Sequence, residues 1–250
     1  MQNNVSLIIP CFNEEANIQK GVLDKIGNYT RHHDEYYEVI IVDDGSTDAS
    51  AVIIKNEYLS DFPKFRLIEN KHAGKGEAVI AGIEAAKGDA VLFADIDLAT
   101  PLEEASKLLE ETRDEFPIVI GSRKSGRIGA PILRKLQSAG FIIIRDIFLG
   151  LGGIRDTQCG FKLFRTKEAM EIISRLQVFG KNYKVEGSSV SAGFDLEFLF
   201  IARKLGYGIK EVPVRWKHVE TKNVKFIKDT VETLKDLAQI KYYSITGRYD

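Results

Sequence analysis

Tyr37-Glu38-Val39-Ile40-Ile41-Val42-Asp43-Asp44-Gly45-Ser46-Thr47-Asp48 sets the fold class of this chain. The β-branched run reads as a buried strand, and the acidic, glycine-bearing residues that end it read as the loop beyond. A second unit of the same kind follows: Ala90-Val91-Leu92-Phe93-Ala94 runs into Asp95-Ile96-Asp97. Carboxylates suit a site better than a core, and open α/β sheets bind ligands in the crevice beyond the carboxyl ends of their strands. Between the two clusters lies the basic, Gly-rich Asn70-Lys71-His72-Ala73-Gly74-Lys75-Gly76-Glu77-Ala78. The three segments together point to a metal and diphosphate site for a nucleotide ligand.

Working outward, strands are expected at about 5–10, 37–43, 65–69, 89–95 and 117–121, and helices near 15–28, 48–59, 76–86 and 102–113. Such alternation predicts an α/β fold, a mostly parallel sheet covered by helices on both faces. Ser46 or Thr47 suits the cap of the helix after the first acidic cluster, and Asn13 that of the first helix. After Gly121 the pattern loosens. Residues 122–130 read as a mobile basic loop, an apolar helix follows, and Cys159–Phe164 reads as a short strand. Residues 177–193 read as a polar loop before a helix at 194–205 and a strand at 209–214. A last helix spans about 224–243, with Val224, Ile227, Val231, Leu234 and Ala238 on one face. It reads as docked on the domain, with a membrane-surface helix as the alternative.

The chain has 250 residues, 44% hydrophobic and 28% charged, enough for one large globular domain or one with an appendage. A net charge of −1 gives no field for nucleic acid, so no nucleic-acid partner is expected. Cys11 and Cys159 lack metal-like spacing and read as reduced thiols in a cytoplasmic protein. The opening strand leaves no room for a signal peptide. The most apolar region, 136–144 and 147–154, is split by Arg145-Asp146. It reads as a buried helix, or as one lying on a membrane, and falls short of the ~20 apolar residues of a span.

Asp95 and Asp97 are two apart, so in an extended stretch both carboxylates face one way and suit Mg²⁺ or Mn²⁺. Asp-x-Asp alone is weak evidence and equally describes a solvated turn. Gly74 and Gly76 permit close approach to phosphate, and Lys75 supplies charge at a helix start. The spacing is not that of a Walker A loop, and His72 has no ligand-spaced neighbour. Pro10-Cys11-Phe12-Asn13-Glu14-Glu15 follows the first strand, where Asn13 and Glu14 either open a helix or hydrogen-bond a nucleotide.

Ile8–Glu15, Val42–Asp48 and Asp95-Ile96-Asp97, in this order, resemble the family 2 glycosyltransferases of GT-A (Rossmann-like) fold. Arg155-Asp156-Thr157-Gln158-Cys159-Gly160-Phe161-Lys162-Leu163-Phe164 and Glu211-Val212-Pro213-Val214 narrow the resemblance to the polyprenol- (dolichyl-) phosphate sugar synthases. Lys75 in its Gly loop, Ala99-Thr100 and the ending from Lys235-Asp236-Leu237 to Thr246-Gly247 resemble the β-glucosyltransferase branch. The mannosyl branch usually lacks that lysine and has Gln where Ala99 stands.

The resemblance implies one glycosyltransferase domain over 1–250, with a nucleotide-sugar half to about 121 and an acceptor half beyond. It implies a nucleotide-sugar donor, UDP-glucose, and a polyprenyl (dolichyl) phosphate acceptor, with inversion at C1. GDP-mannose is the alternative donor. Pro10, Asn13, Glu14, Asp43, Lys75 and Asp95 are expected to hold the donor, and Asp95 and Asp97 the metal. Arg123, Arg134 and Ser138 are expected on the acceptor phosphate, the last two sharing a helix face. Asp95, Asp97, Arg123 and Asp156 form the expected catalytic set, with Arg127 and Lys124 as further cations. A phosphate monoester needs no general base, whereas a sugar hydroxyl would need one, Asp156 or Asp195. Peripheral association with the cytoplasmic face of a membrane completes the expectation. Rivals are a soluble or polysaccharide acceptor, and a non-catalytic receiver-like domain. Arg215-Trp216 matches part of the processive-synthase Gln-x-x-Arg-Trp, but Val212 replaces the Gln.

Overall fold

The computed structural model describes residues 4–123, 132–179, 193–217 and 226–250; at 113–114, 132–139 and 226–230 it describes the backbone alone. Strands β1 (Val5–Cys11), β2 (Tyr36–Asp43), β3 (Phe65–Glu69), β4 (Ala90–Ala94), β5 (Ile118–Ser122), β6 (Phe161–Arg165) and β7 (Ile209–Pro213) form one seven-stranded sheet, ordered β3-β2-β1-β4-β6-β5-β7. The helices are α1 (Glu15–Gln19), α2 (Val22–Arg31), α3 (Ser50–Ile53), α4 (Leu59–Asp61), α5 (Lys75–Ala85), α6 (Ala105–Asp114), α7 (Ile132–Leu149), α8 (Thr166–Ser174), α9 (Gly193–Lys204) and α10 (Phe226–Ile245).

Side chains alternate across the strands, so the sheet carries two cores. Ile8, Ile40, Val91, Phe93 and Ile120 pack with α5, α8, α9 and α10. Leu7, Ile9, Val39, Ile41, Leu92 and Val119 pack on the other face with α2 and α6. Each such side chain contributes about 1.5–3 kcal/mol by burial.

The chain runs outward from β1 to β2 and β3, then returns to place β4 on the other side of β1. That reversal opens a crevice at the carboxyl ends of β1, β2 and β4. β6 lies antiparallel between β4 and β5, with Ala94 opposite Phe161. Its leading residues, Cys159 and Gly160, therefore arrive at the same edge as Asp95.

Several elements differ from the sequence expectation. The single helix at 15–28 is two helices, because Gly21 is left-handed (φ 72°) and turns the chain between α1 and α2. The helix expected from 48 begins at Ser50 and passes through a π-helical turn, Ile54–Tyr58. Ser46, Thr47 and Asn13 cap no helix. Ser46 Oγ instead accepts the Asn13 N–H (2.9 Å), and Asn13 Oδ1 accepts the Thr47 N–H (2.7 Å). Ser122 belongs to β5, not to the loop after it. α10 is docked on the domain, but through Thr233, Leu237 and Ile240; Val231, Leu234 and Ala238, on the face read from the sequence, lie in solvent.

Candidate active site

At the ends of β1 and β2, expected to hold the donor, the crevice is knitted by side chains accepting backbone N–H groups. Asp44 leaves β2 with its own N–H on Cys11 O (2.8 Å). Its buried carboxylate accepts the N–H groups of Ala73 and Gly74, both at 2.8 Å, and meets His72 Nδ1 at 2.8 Å. His72 stacks on Phe12, with centroids 4.1 Å apart. The Gly loop is thus fastened to both β1 and β2. Gly74 has φ 97°, a conformation open to glycine, and it launches α5 with Lys75 as the first helical residue. Pro10 lies in β1 opposite Val42, and the Glu14 N–H donates to Ser50 Oγ (2.8 Å). Asp43 is buried; Oδ2 accepts the Ser46 N–H (3.1 Å), while Oδ1 has no hydrogen-bond partner among the described residues.

The two non-glycine residues with positive φ, among those described, both lie in loops at this edge. Asn13 (φ 54°) follows β1 and Leu98 (φ 49°) follows β4. Each conformation costs about 1–2 kcal/mol and persists because its surroundings fix it. For Leu98 the fixing bonds are its own N–H on Asp95 O (3.1 Å) and the Ala99 N–H on Asp97 Oδ1 (2.9 Å).

Asp95 and Asp97 follow the end of β4, but in a turn closed by the Leu98 N–H on Asp95 O (3.1 Å) rather than in the extended stretch that the sequence reading assumes. Asp95 Oδ1 pairs with Lys75 Nζ. Burial works against the Lys75 ammonium, but Asp95, Asp195 and Asp97 outweigh it and hold its pKa above the ordinary value. Burial pushes the Asp97 carboxyl up, against the Ala99 N–H, and Asp95 adds to the rise. Among the described residues no three His, Cys, Asp or Glu side chains converge as metal ligands, so the pair is two hard oxygen donors. Gly160 backs Asp95: a Cβ there would lie 2.0 Å from Asp95 Oδ2.

The β5–β6–β7 side, expected to hold the acceptor, is built from ion pairs. Arg123 grips Asp156 through Nε and Nη2, both at 2.7 Å, and its own N–H meets Asp156 Oδ2 at 3.0 Å. Burial raises the Asp156 carboxyl, but the Arg123 bonds and charge prevail and hold it below the usual range. Glu211 of β7 accepts the Arg155 and Asp156 N–H groups, at 3.1 and 2.7 Å. Asp195 accepts from Lys162 Nζ at 2.7 Å. Arg134 and Ser138 fall on α7, one turn apart, with side chains outside the described residues. Lys124 and Arg127 also lie outside them.

A mixed sheet with paired carboxylates after β4 and a fastened Gly loop is the arrangement the motifs anticipate. The family described as Glycosyl transferase family 2 matches residues 6–172. This chain belongs to glycosyl transferase family 2. A dolichyl-phosphate beta-glucosyltransferase of Trichomonas vaginalis is 34% identical over 257 residues, covering 98% of this chain and 75% of that protein. Proteins of the same description from Saccharomyces cerevisiae and Homo sapiens are 30% and 33% identical, covering 98% of this chain and 76% and 77% of theirs. The fold matches glucosyl-3-phosphoglycerate synthase of Mycobacterium tuberculosis, solved with Mn²⁺, UDP-glucose and phosphoglyceric acid. The TM-score is 0.66 at 21% identity, over 96% of this chain and 80% of that one. Mannosyl-3-phosphoglycerate synthase of Rubrobacter xylanophilus gives a TM-score of 0.69 at 17% identity, over 98% and 75% of the two chains.

Sequence reasoning gave no role to three residues that the structure places at this candidate site. Lys162, in the middle of β6, is buried, with Nζ on Cys159 O (2.6 Å) and Asp195, and 5.0 Å from the Phe93 ring centroid. A lysine inside an apolar strand run was its signal. Asp44, given no role of its own by the sequence, is a loop fastener. Trp216 sits by Arg123, and only the partial Arg-Trp motif marked it.

Proposed function

We propose that this glycosyltransferase transfers glucose from UDP-glucose to a polyprenyl (dolichyl) phosphate, inverting C1 to give a β-linked lipid-phosphate sugar. The observation that carries the reading is near-full-length identity of 30–34% to proteins named dolichyl-phosphate beta-glucosyltransferase. The site's chemistry supports it. A phosphate monoester is already largely a dianion at neutral pH, with a second pKa near ~6, and attacks without a general base. Asp156 and Asp195, the carboxylates that a hydroxyl acceptor would need as bases, are both committed to cations.

In this reading the buried Asp43 Oδ1, without a partner among the described residues, receives an N–H of the donor's base, and Pro10, Asn13 and Glu14 hold the same nucleotide. Asp95 and Asp97 would hold Mg²⁺ or Mn²⁺, whose charge would offset that developing on the leaving diphosphate. Lys75, which contacts Asp95, would add its charge to that of the metal. Arg123, Arg134 and Ser138 take the acceptor phosphate.

The lipid tail needs an apolar surface. On α7, Ile143, Ile144, Ile147 and Phe148 are exposed, while Arg145 between them is turned inward onto Asp146 and Ile154 O. On α10, which packs against α7, Val231, Leu234, Tyr242 and Ile245 are exposed. Among the described residues no helix is long and apolar enough to cross a membrane. Peripheral docking through these two helices on the cytoplasmic face follows as part of the proposal.

The test is a thermal-shift panel of UDP, UDP-glucose, GDP and GDP-mannose with Mn²⁺ or chelator, followed by transfer to phytanyl phosphate. A metal-dependent shift with the uridine ligands and formation of a lipid-phosphate glucose are expected. A shift with GDP-mannose instead overturns the sugar assignment, and absence of transfer to phytanyl phosphate overturns the acceptor.

A further inference from the structure

Trp216 is the single tryptophan of the chain. Arg123 Cζ stands over its ring, 5.7 Å from the centroid, inside the range of a cation–π contact. The backbone that carries it is held on both sides of the crevice. The Val214 N–H donates to Ser122 O (3.0 Å) and the Lys217 N–H to Ala99 O (2.8 Å). Arg215 donates its N–H (3.2 Å) and Nε (2.5 Å) to Glu104, a carboxylate 2% exposed. Ala99 is also the residue whose N–H holds Asp97. The segment 214–217 therefore ties the Asp97 loop to the end of β5 and carries the indole beside Arg123.

Arg123 has five N–H donors in a planar fork. Asp156 takes Nε and Nη2, which fixes two points in the guanidinium plane but not its tilt. The Nη1 edge is not committed to Asp156. The Trp216 ring, 5.7 Å from Arg123 Cζ, is close enough to restrain that tilt.

We propose that Trp216 is a positioning residue for the acceptor: it holds the Arg123 guanidinium so that the Nη1 edge faces an incoming phosphate dianion at the Asp95–Asp97 side of the crevice. This rests on the polyprenyl-phosphate reading and adds the residue that sets the geometry of its anion site. Trp216 does not touch the reacting atoms.

The experiment pairs steady-state kinetics of Trp216→Leu and Trp216→Phe with wild-type tryptophan fluorescence, using phytanyl phosphate as acceptor. Trp216→Leu is expected to raise the acceptor KM about tenfold, the scale of one lost cation–π contact with its alignment. The UDP-glucose KM should stay within about twofold, and Trp216→Phe, which keeps a ring, should recover most of the acceptor KM. Because the chain has one tryptophan, its emission should change on titration with phytanyl phosphate, and Arg123→Gln should abolish that change. An unchanged acceptor KM in folded Trp216→Leu, or an equal rise in both KM values, overturns the positioning role. If Trp216→Leu does not fold, a wild-type emission insensitive to phytanyl phosphate overturns it. Wild-type protein that transfers nothing to phytanyl phosphate overturns the acceptor reading itself, a separate outcome.

Discussion

The two sides of the crevice are held together by different physics. On the donor side, Asp44, Asn13, Ser46 and Asp48 accept backbone N–H groups from neighbouring loops, so the loops fix one another before any ligand arrives. On the acceptor side, Arg123–Asp156 and Lys162–Asp195 are side-chain ion pairs whose charges offset each other. Backbone hydrogen bonds give fixed shape, which suits the recognition of an invariant nucleotide proposed for that side. Ion pairs give charge without free basicity, which suits an acceptor that arrives already ionised.

The comparison breaks most visibly at the seam between the two sides. Asp95→Asn should lower transfer about 10²–10³-fold with the fold intact, the scale of removing one preorganised electrostatic partner. A single-turnover assay beside circular dichroism checks this; retained activity would remove Asp95 from the site. Gly160→Ala comes next. Its Cβ cannot coexist with the present Asp95 carboxylate, so transfer should fall about 10²-fold through misplacement alone. Normal activity would mean that Asp95 works from another rotamer.

Asp44→Ala probes the donor side as structure. It strands two backbone donors and a histidine, so urea unfolding should show a loss of about 3 kcal/mol, with UDP affinity falling too. A loss under about 0.5 kcal/mol, the level of a neutral surface change, would deny the loop-fastening role. The smallest effect is in acid. The native Asp156 pKa lies below its unfolded value near ~3.9, so its contribution is present above that value and lost as pH falls through the native one. Asp156→Asn should therefore flatten the stability curve below about pH 4 and leave its slope unchanged at pH 6–8. An unaltered acid limb would show that the Arg123 pair does not bind Asp156 more tightly than solvent does.

Much of the donor side was legible because its residues are contiguous. A β-branched run followed by Asp-Asp-Gly-Ser, or an apolar run followed by Asp-x-Asp, needs only strand periodicity to place the acids at a strand end. The roles within a loop were less legible. Asp43 and Asp44 look alike in the sequence, yet one keeps an unpartnered oxygen and the other fastens the Gly loop, because successive residues leaving a strand point opposite ways. The acceptor side was harder, since Arg123 and Asp156, or Lys162 and Asp195, meet across 33 residues of chain. α10 shows the limit of periodicity. Its 224–238 stripe is apolar and was readable, but Leu237 and Ile240 form a second stripe, and only packing shows which one is buried.

By itself the sequence determined the α/β alternation, the two acidic strand ends, the Gly-Lys-Gly loop and the family, because local periodicity and short motifs are written in neighbouring residues. The tertiary structure decided what those residues touch. The antiparallel insertion of β6 brings Gly160 and Lys162 to the Asp95 edge, and the extension of β7 brings Trp216 to Arg123. Such contacts depend on strand order and on which helix face wins burial, and both are settled by the packing of the whole sheet rather than by any one segment.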